Sequence, residues 1–352
     1  MSKKYDLCVM GLGYIGLPTA SIFAAKGLKV LGVDVDPEVL KKVASGNPHF
    51  YEMDLDVLVS AATSSGHLRA SSEPAVADVF VLAVPTPFVA SEADCPTPDL
   101  RCVESAARAI APFLEENNLV ILESTSSIGT TEKVAEWIEH ERKSQQIPPL
   151  PNVYYAHCPE RILPGQMLKE LVSNDRIVGG LTQESSSIAA EFYRKICSGK
   201  IIETNARTAE LTKLAENAYR DVNIAFANEL SMICEQLAIN VWDVISLSNH
   251  HPRVNVHNPG PGGGGHCIAI DPWFIVDSCQ EFAQLIRTAR EVNLGKTEYV
   301  THRILDAAKR FKKPRIACLG LTYKPNVEDL RESPALEIVK HISLQENIEA
   351  WV

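Results

Sequence analysis

The chain has no run of 18 consecutive apolar residues, which excludes a membrane-spanning helix. It is also short of positive charge. Its 34 Lys and Arg stand against 44 Asp and Glu, a formal net charge of −10, and this speaks against a nucleic-acid backbone as partner. Any anionic ligand must be small and locally held. The nine cysteines, an odd number, include no C-x-x-C pair. Secreted disulfide frameworks are short and have even counts, so reduced thiols in a cytosol fit better. The start, MSKKYDLCVMGLGYIGLP, sets basic residues before an apolar stretch, but Gly11, Gly13 and Gly16 interrupt it and no small-residue cleavage site follows. The reading is a cytoplasmic protein with a small-molecule ligand and no membrane partner.

Its 352 residues, 45% hydrophobic and 22% charged, suit a soluble globular protein of two or three domains. Short apolar runs at 7–10, 30–33, 79–84, 119–122 and 153–156 alternate with helical patterns. Strands apolar throughout are buried on both faces, so the first third predicts a parallel sheet with helices on each side. From Ile201 to His251 there is neither glycine nor proline. Leu211, Leu214, Ala218, Val222, Phe226, Ile233 and Leu237 recur there at mostly three- and four-residue spacings, which predicts one or two long helices with these residues as the apolar stripe. A further β-α-β start follows, with a strand near Arg315 and a helix from Pro334. The fold class is thus α/β: a Rossmann-like doubly wound parallel sheet over 1–200, a helical domain with a long helix over 201–300, and an incomplete second Rossmann-like domain over 301–352.

Gly11, Gly13 and Gly16 form G-x-G-x-x-G directly after a strand and at the opening of a helix, with Tyr14 and Ile15 between the last two glycines. Asp34 follows 18 residues after Gly16, at the end of the next strand. In this context the first glycine makes the turn, the second admits a pyrophosphate, and the third lets helix pack on strand. The helix N-terminus favours the phosphates, and an acid at 34 accepts ribose hydroxyls and repels a 2′-phosphate. NAD is the cofactor read from these residues. Other groups fall at carboxyl ends of strands, where such sheets bind ligands: Pro85, Thr86, Ser124, Thr125 and Glu160. Each also reads as ordinary local chemistry: turn prolines, caps for a helix near Thr131, and a solvated loop carboxylate.

The stretch PGPGGGGHCIAIDPWF, residues 259–274, places Gly260 and Gly262 to Gly265 immediately before His266 and Cys267. Glycines let backbone approach a ligand closely, and a thiol beside them is a candidate nucleophile toward a carbonyl. Zinc does not fit: His–Cys occurs twice, without the spacing of a known site. Asp271 before Pro272 reads as the N-cap of a helix, with a second role toward water left open. Lys213 and Asn217, four apart, share a helix face, either solvated or lining a cleft.

Taken in order, GLGYIGLPTA, VPTPF, ESTSSIGTTEK, CPERILPGQ, KLAENAYRDVNIAFANEL, GPGGGGHCIAIDPWF and GLTYKPNVEDLRESPA resemble the nucleotide-sugar 6-dehydrogenases, the four-electron family that includes UDP-glucose and GDP-mannose dehydrogenases. CPERILPGQ and HHPRVN look most like its branch acting on UDP-N-acetyl-D-mannosamine. The resemblance implies that Cys267 captures a C6 aldehyde as a thiohemiacetal, which a second oxidation turns into a thioester that water releases as the uronate. It implies Lys213 and Asn217 at the oxyanion or bridging water, Asp271 in proton transfer, and Glu160 and Thr125 as catalytic. It implies Arg331 at the NAD pyrophosphate, and Tyr323 and Lys324 at the diphosphate of a UDP-sugar. It implies Arg161, Leu163 and Pro164 at the sugar, Gly260, Gly262 and Gly265 around the substrate, and Arg253 lent across a homodimer or higher homo-oligomer. The family's third domain continues well past residue 352, so the C-terminal part is expected to be truncated. The alternatives are another nucleotide sugar (UDP-glucose, UDP-N-acetylglucosamine, GDP-mannose), a two-electron hydroxyacid dehydrogenase, and an inactive NAD-binding or regulatory form.

Overall fold

The computed structural model describes residues 4–89, 96–163, 165–324 and 330–352. Pro164 lies outside the described residues. The chain divides into two compact units, one of residues 1–89 and 98–213, the other of residues 214–352 with the segment 90–97.

The first unit runs β1 (Tyr5–Met10), α1 (Gly16–Ala25), β2 (Val30–Val33), α2 (Pro37–Ala44), α3 (Leu55–Ser64), β3 (Leu68–Ser71) and β4 (Ala77–Leu82). Two short strands follow, β5 (Phe88–Val89) and β6 (Thr97–Pro98), then α4 (Arg101–Ile110), β7 (Leu119–Leu122), α5 (Thr130–Ser144), β8 (Tyr154–His157), α6 (Met167–Ser173), β9 (Arg176–Gly180), α7 (Gln183–Arg194) and β10 (Ile201–Asn205). Eight strands make one sheet in the order β10-β9-β8-β7-β4-β1-β2-β3, parallel except where β8 meets β9. From β3 to β8 this is the doubly wound order, with the order of strand addition reversing between β1 and β4. Alternation along β1 feeds two cores. Leu7 and Val9 pack with Leu17, Phe23, Val59 and Phe192 on one face, and Cys8 and Met10 with Phe80, Val103, Ile110 and Ile138 on the other.

The predicted strands at 7–10, 30–33, 79–84, 119–122 and 153–156 all form, with shifted ends. β4 leaves its ladder at Leu82, before a stretch in which Pro85 and Pro87 have no N–H to offer, and β8 runs one residue later, to His157. Three strands of the eight-stranded sheet escaped the apolar-run criterion. β3 is a half-polar edge strand, β9 ends in two glycines, and β10 opens the glycine- and proline-free stretch that the spacing assigned to helix. Ile201, Ile202 and Thr204 are β-branched, and β10 pairs in parallel with β9.

Helix α8 (Ala206–Gln236) starts in the first unit and continues into the second, which adds α9 (Val241–Ser248), α10 (His266–Ser278), α11 (Gln284–Ala308), β11 (Arg315–Ala317), α12 (Pro334–Ser343) and β12 (Glu349–Trp351). The β11-α12-β12 unit is parallel, as the sequence predicts. The predicted stripe of α8 does not all turn inward. Leu214 and Ala218 are buried, but Leu211, Phe226, Ile233 and Leu237 are exposed. In the second unit the buried stripe is Leu214, Ala218, Asp221, Ala225 and Asn228, so two of its members are polar. Asp221 meets Arg290 of α11 at 2.7 Å, and both side chains are almost completely buried. Burial pushes the Asp221 carboxyl up, against the pull of Arg290 and Asn293.

Asp271 also departs from its expected place. It does not cap a helix, because α10 starts five residues earlier, at His266, and takes Pro272 into its interior. Pro272 fills no hydrogen bond of that turn. Asp271 is buried in mid-helix.

Removing one member of a buried ion pair leaves the other uncompensated, typically at about 3–5 kcal/mol. Arg290→Met is expected to lower unfolding stability by that amount, measured by urea titration against the wild type. Equal stability would show that the pair is dispensable.

Candidate active site

The glycine loop closes β1 onto α1. Gly11 has φ +91°, and a Cβ there would lie 2.5 Å from the Ala83 carbonyl oxygen. A Cβ on Gly16 would lie 1.9 Å from the Gly11 carbonyl oxygen. Gly13 differs: a Cβ on it would meet nothing within 4 Å. Two glycines are therefore demanded by the protein's own packing, while the third leaves open space beside backbone. No side chain caps α1, whose N-cap is the half-buried Ile15. Asp34 accepts hydrogen bonds from Leu12 N at 2.8 Å and Asp36 N at 3.0 Å, one on each carboxylate oxygen, and so ties the second strand to this loop. Tyr14 stacks on Phe50 with ring centroids 4.3 Å apart. These residues suit a dinucleotide: an open backbone at Gly13, an uncapped helix N-terminus, and a carboxylate at the end of β2.

Beyond β4 and β7, Pro85 is exposed and Thr86 buried, and Ser124 Oγ donates to the Val84 carbonyl at 2.7 Å. Ser124 therefore joins strand ends and caps nothing. The cap of α5 comes from Glu210 of α8, which accepts from Gly129 N at 2.6 Å and from Thr131 N and Oγ1 at 2.8 and 2.6 Å. Thr125 is half-buried in the turn between them.

Glu160 is not a solvated loop carboxylate. Its Oε2 pairs with Arg176 at 2.9 Å, with both side chains buried, and its Oε1 accepts from Arg161 N at 2.8 Å. Arg161 donates to the Asp175 carbonyl. Arg176 also lies 4.7 Å from the centre of the Tyr193 ring. Beside it Glu123 is fully enclosed, accepting from Tyr193 Oη at 2.6 Å and Thr19 Oγ1 at 3.3 Å. Burial pushes the Glu123 carboxyl up to about 7, with the Glu160 charge acting in the same sense and the Arg176 charge opposing it. Glu52 holds the following loop, accepting from Gly165 N and Met167 N at 2.8 and 2.9 Å, and Leu163 N donates to Glu170 at 2.8 Å. Lys213 is buried near His157, whose imidazole burial pushes down to about 3, with the lysine charge acting in the same sense.

In the second unit, Cys267 occupies the first turn of α10 and is exposed. The start of a helix favours negative charge, here on the sulfur. Asp271 lies one turn further along, and Asn217 Nδ2 donates to its Oδ2 at 2.5 Å. Lys213 lies one turn before Asn217 on α8. The structure thus brings Asn217 to Asp271 and sets Cys267 one turn before Asp271 on α10.

The glycine stretch is packed mostly by the protein itself. Cβ atoms on Gly262 and Gly264 would lie 2.5 Å from Thr297 Oγ1 and Pro334 Cδ, and one on Gly265, with φ +95°, would lie 2.8 Å from the Tyr323 ring. Gly260 alone is open, with only the Gly262 carbonyl at 3.8 Å. Gly265 N donates to the Glu332 carbonyl at 3.3 Å, next to the exposed Arg331. Tyr323 and Lys324 are half-buried, and Arg253 is exposed.

Sequence reasoning missed Glu123, Arg176, Glu210, Asp221, Asn228, Arg290 and Asn293. A polar residue in a buried helical stripe is the signal that marks Asp221 and Asn228. Nothing local marks the others.

A family profile described as the NAD binding domain of the UDP-glucose/GDP-mannose dehydrogenase family matches residues 5–197. Its central domain matches 207–294 and its UDP binding domain 317–348. The chain is 54% identical to an NDP-N-acetyl-D-galactosaminuronic acid dehydrogenase of Ralstonia nicotianae, over 97% of the chain and 80% of the relative. It is 51% identical to a UDP-N-acetyl-D-mannosamine dehydrogenase of Campylobacter jejuni, over 96% and 84%. A solved structure of the UDP-N-acetyl-mannosamine dehydrogenase from S. aureus superposes with a TM-score of 0.89 at 43% identity, covering 99% of this chain and 82% of that one. Among the described residues no helix is long and apolar enough to cross a membrane.

Gly13 and Gly16 separate ligand from fold. Gly13→Ala is expected to weaken NADH binding by about tenfold or more with the melting curve unchanged, since its Cβ would enter the open space beside that backbone. Gly16→Ala is expected to destabilise the fold itself. NADH fluorescence titration and thermal unfolding of both variants check this. Unchanged affinity in Gly13→Ala would contradict it.

Proposed function

The chain belongs to the UDP-glucose/GDP-mannose dehydrogenase family, and on that premise we propose that it oxidises C6 of UDP-N-acetyl-D-mannosamine to the uronate through a covalent adduct on Cys267. As a member it is an NAD-dependent UDP-sugar dehydrogenase. The observation that carries the finer reading is the Cys267–Asp271–Asn217 arrangement. A thiol at a helix start stands one turn from a buried carboxylate already bonded to an amide. A two-electron hydroxyacid dehydrogenase or a pure NAD binder has no use for that set.

Gly11, Gly13, Tyr14, Ile15, Gly16, Asp34, Pro85, Thr86 and Ser124 would hold NAD, with Arg331 at its pyrophosphate. Bound there, NAD supplies the hydride acceptor for both oxidations, one molecule for each. Cys267 Sγ adds to C6 of the aldehyde, the carbonyl oxygen gains a proton, and a thiohemiacetal forms. Its oxidised product is a thioester. Water adds to that carbonyl, the C–S bond breaks, the thiol is restored and the uronate leaves. Lys213 and Asn217 donate to the C6 oxygen where negative charge develops, and Asp271 accepts the proton of the attacking water. Glu160 and Thr125 complete the catalytic set. Arg161, Leu163, Pro164, Gly260, Gly262, Gly265, Tyr323 and Lys324 would contact the sugar nucleotide.

The proposed domains are 1–200 for NAD, 201–300 for the thiol loop and dimerisation, and 301–352 for UDP-sugar binding. The exposed stripe of Leu211, Phe226, Ile233 and Leu237 supports a homodimer through α8, with Arg253 lent to the partner. The Ralstonia relative favours a second reading, in which the sugar is a 2-acetamido hexose of the galacto series. Both readings share the acetamido group and the four-electron course.

The test is NADH formed per sugar, with limiting sugar nucleotide and excess NAD, across UDP-N-acetyl-D-mannosamine, UDP-N-acetyl-D-galactosamine, UDP-N-acetyl-D-glucosamine, UDP-glucose and GDP-mannose. Two NADH per UDP-N-acetyl-D-mannosamine are expected, with kcat/KM about tenfold or more above the other donors. Higher kcat/KM on the galacto sugar would overturn the epimer, and one NADH per sugar would overturn the four-electron course. Cys267→Ser is expected to abolish formation of the uronate with NADH affinity within about twofold of wild type. Uronate formed at the normal rate would refute the covalent role.

A further inference from the structure

We propose that Asn228 is a positioning residue for the loop that presents Cys267, and that its amide is oriented from a distance by the Asp221–Arg290 pair acting through Asn293. The proposal rests on the reading of residues 260–267 as the substrate and thiol loop. Four contacts run in series. Arg290 Nη1 donates to Asp221 Oδ1 at 2.7 Å, and Asn293 Nδ2 donates to the same oxygen at 2.8 Å and to the Asp221 carbonyl at 3.1 Å. Asn228 Nδ2 donates to Asn293 Oδ1 at 2.8 Å, and Gly260 N donates to Asn228 Oδ1 at 2.8 Å. Asn228 and Asn293 are both buried, so water does not substitute for a lost partner.

The series has a direction that its two ends fix independently. At one end the carboxylate oxygen and the carbonyl of Asp221 can only accept, so Asn293 must turn its NH₂ toward them and its oxygen toward Asn228. At the other end a backbone N–H can only donate, so Asn228 must offer Gly260 its oxygen and turn its NH₂ back toward Asn293. Both requirements select the same orientation of both amides. Gly260 stands between Pro259 and Pro261, which have no N–H, so its amide is the only backbone donor of that triplet. Thr297 Oγ1 takes the next carbonyl, of Pro261, at 2.9 Å. The loop is thus pinned at two successive residues by α8 and α11. Glycines packed against Thr297, Pro334 and Tyr323 then carry the chain to the first turn of α10.

The direction makes Asn228→Asp informative. The carboxylate keeps an acceptor for Gly260 N, yet it presents a second acceptor to Asn293 Oδ1, and Asn293 cannot rotate without opposing Asp221. A loop held only by an acceptor at 228 would tolerate the change, whereas an oriented series would not. The readout is the rate of Cys267 carbamidomethylation by iodoacetamide in the full chain, followed by peptide mass spectrometry without substrate. Asn228→Asp is expected to change that rate by about threefold or more, with the NADH Kd within about twofold of wild type. A smaller change in rate overturns the proposal. In steady state the variant is expected to raise KM for UDP-N-acetyl-D-mannosamine more than KM for NAD, and equal changes, as general loosening produces, contradict a positioning role. If Asn228→Asp fails to bind NADH, Asn228→Ser is read by the same outcomes. Wild type inactive on every sugar nucleotide would overturn the substrate reading, while the alkylation comparison would still decide this one.

Discussion

The second unit is organised around a charge pair that a hydrophobic stripe would ordinarily exclude. Asp221 and Arg290 meet inside the packing of α8 and α11. Burying two ions is tolerated only where geometry is close and remaining polar atoms find partners. Asn293 supplies one such partner to Asp221, while Asp221 Oδ2 and Arg290 Nε find none among the described residues, and Asn228 continues the polarity from Asn293 to the backbone of the thiol loop. With the inner face of α8 given to aspartate, asparagine, alanine and one leucine, its large apolar residues turn outward. The same buried residues reach the backbone of the loop at Gly260, while large apolar side chains of α8 stay exposed.

The first unit solves a different problem with the same economy of parts. Reversal of strand order between β1 and β4 leaves loops diverging above the sheet, and such a gap is where ligands bind. Gly11 and Gly16 close the loop against the sheet, and Gly13 leaves backbone open. Behind the loops, Arg176 sits among Glu160, Glu123 and Tyr193. The cluster fixes Glu160 in place and keeps Glu123 in an environment that resists ionisation. A group shared in this way restrains the carboxyl end of β7 and the loop after β8 together.

The sheet was legible from sequence wherever strands are buried on both faces, because apolar runs then need no partner to be recognised. β1, β2, β4, β7 and β8 were read in this way. β3 and β10 were not. An edge strand such as β3 carries polar residues, and β10 borders a helix without a glycine or proline to separate them. The cofactor loop was legible because each glycine answers a local backbone demand. The cap reading of Asp271 fails because Asp-Pro caps helices in isolation, whereas here the glycines end at Gly265 and the helix starts at His266. The stripe on α8 was misread for a deeper reason. Periodicity reports which residues share a face and not which face turns inward, and here the inward face carries Asp221, whose partner Arg290 is distant in sequence. Contacts of that kind leave no local trace.

In the proposed reaction the Cys267 sulfur carries the sugar between the two oxidations. The most direct measurement is the intact mass of Asp271→Asn protein, quenched in acid during turnover of UDP-N-acetyl-D-mannosamine with NAD, followed by peptide mapping. Because that variant lacks the carboxylate assigned to the attacking water, the thioester is expected to accumulate. One sugar-nucleotide mass is expected on the peptide containing Cys267, absent without NAD. Uronate produced with no mass added to that peptide at any time of quenching would contradict it.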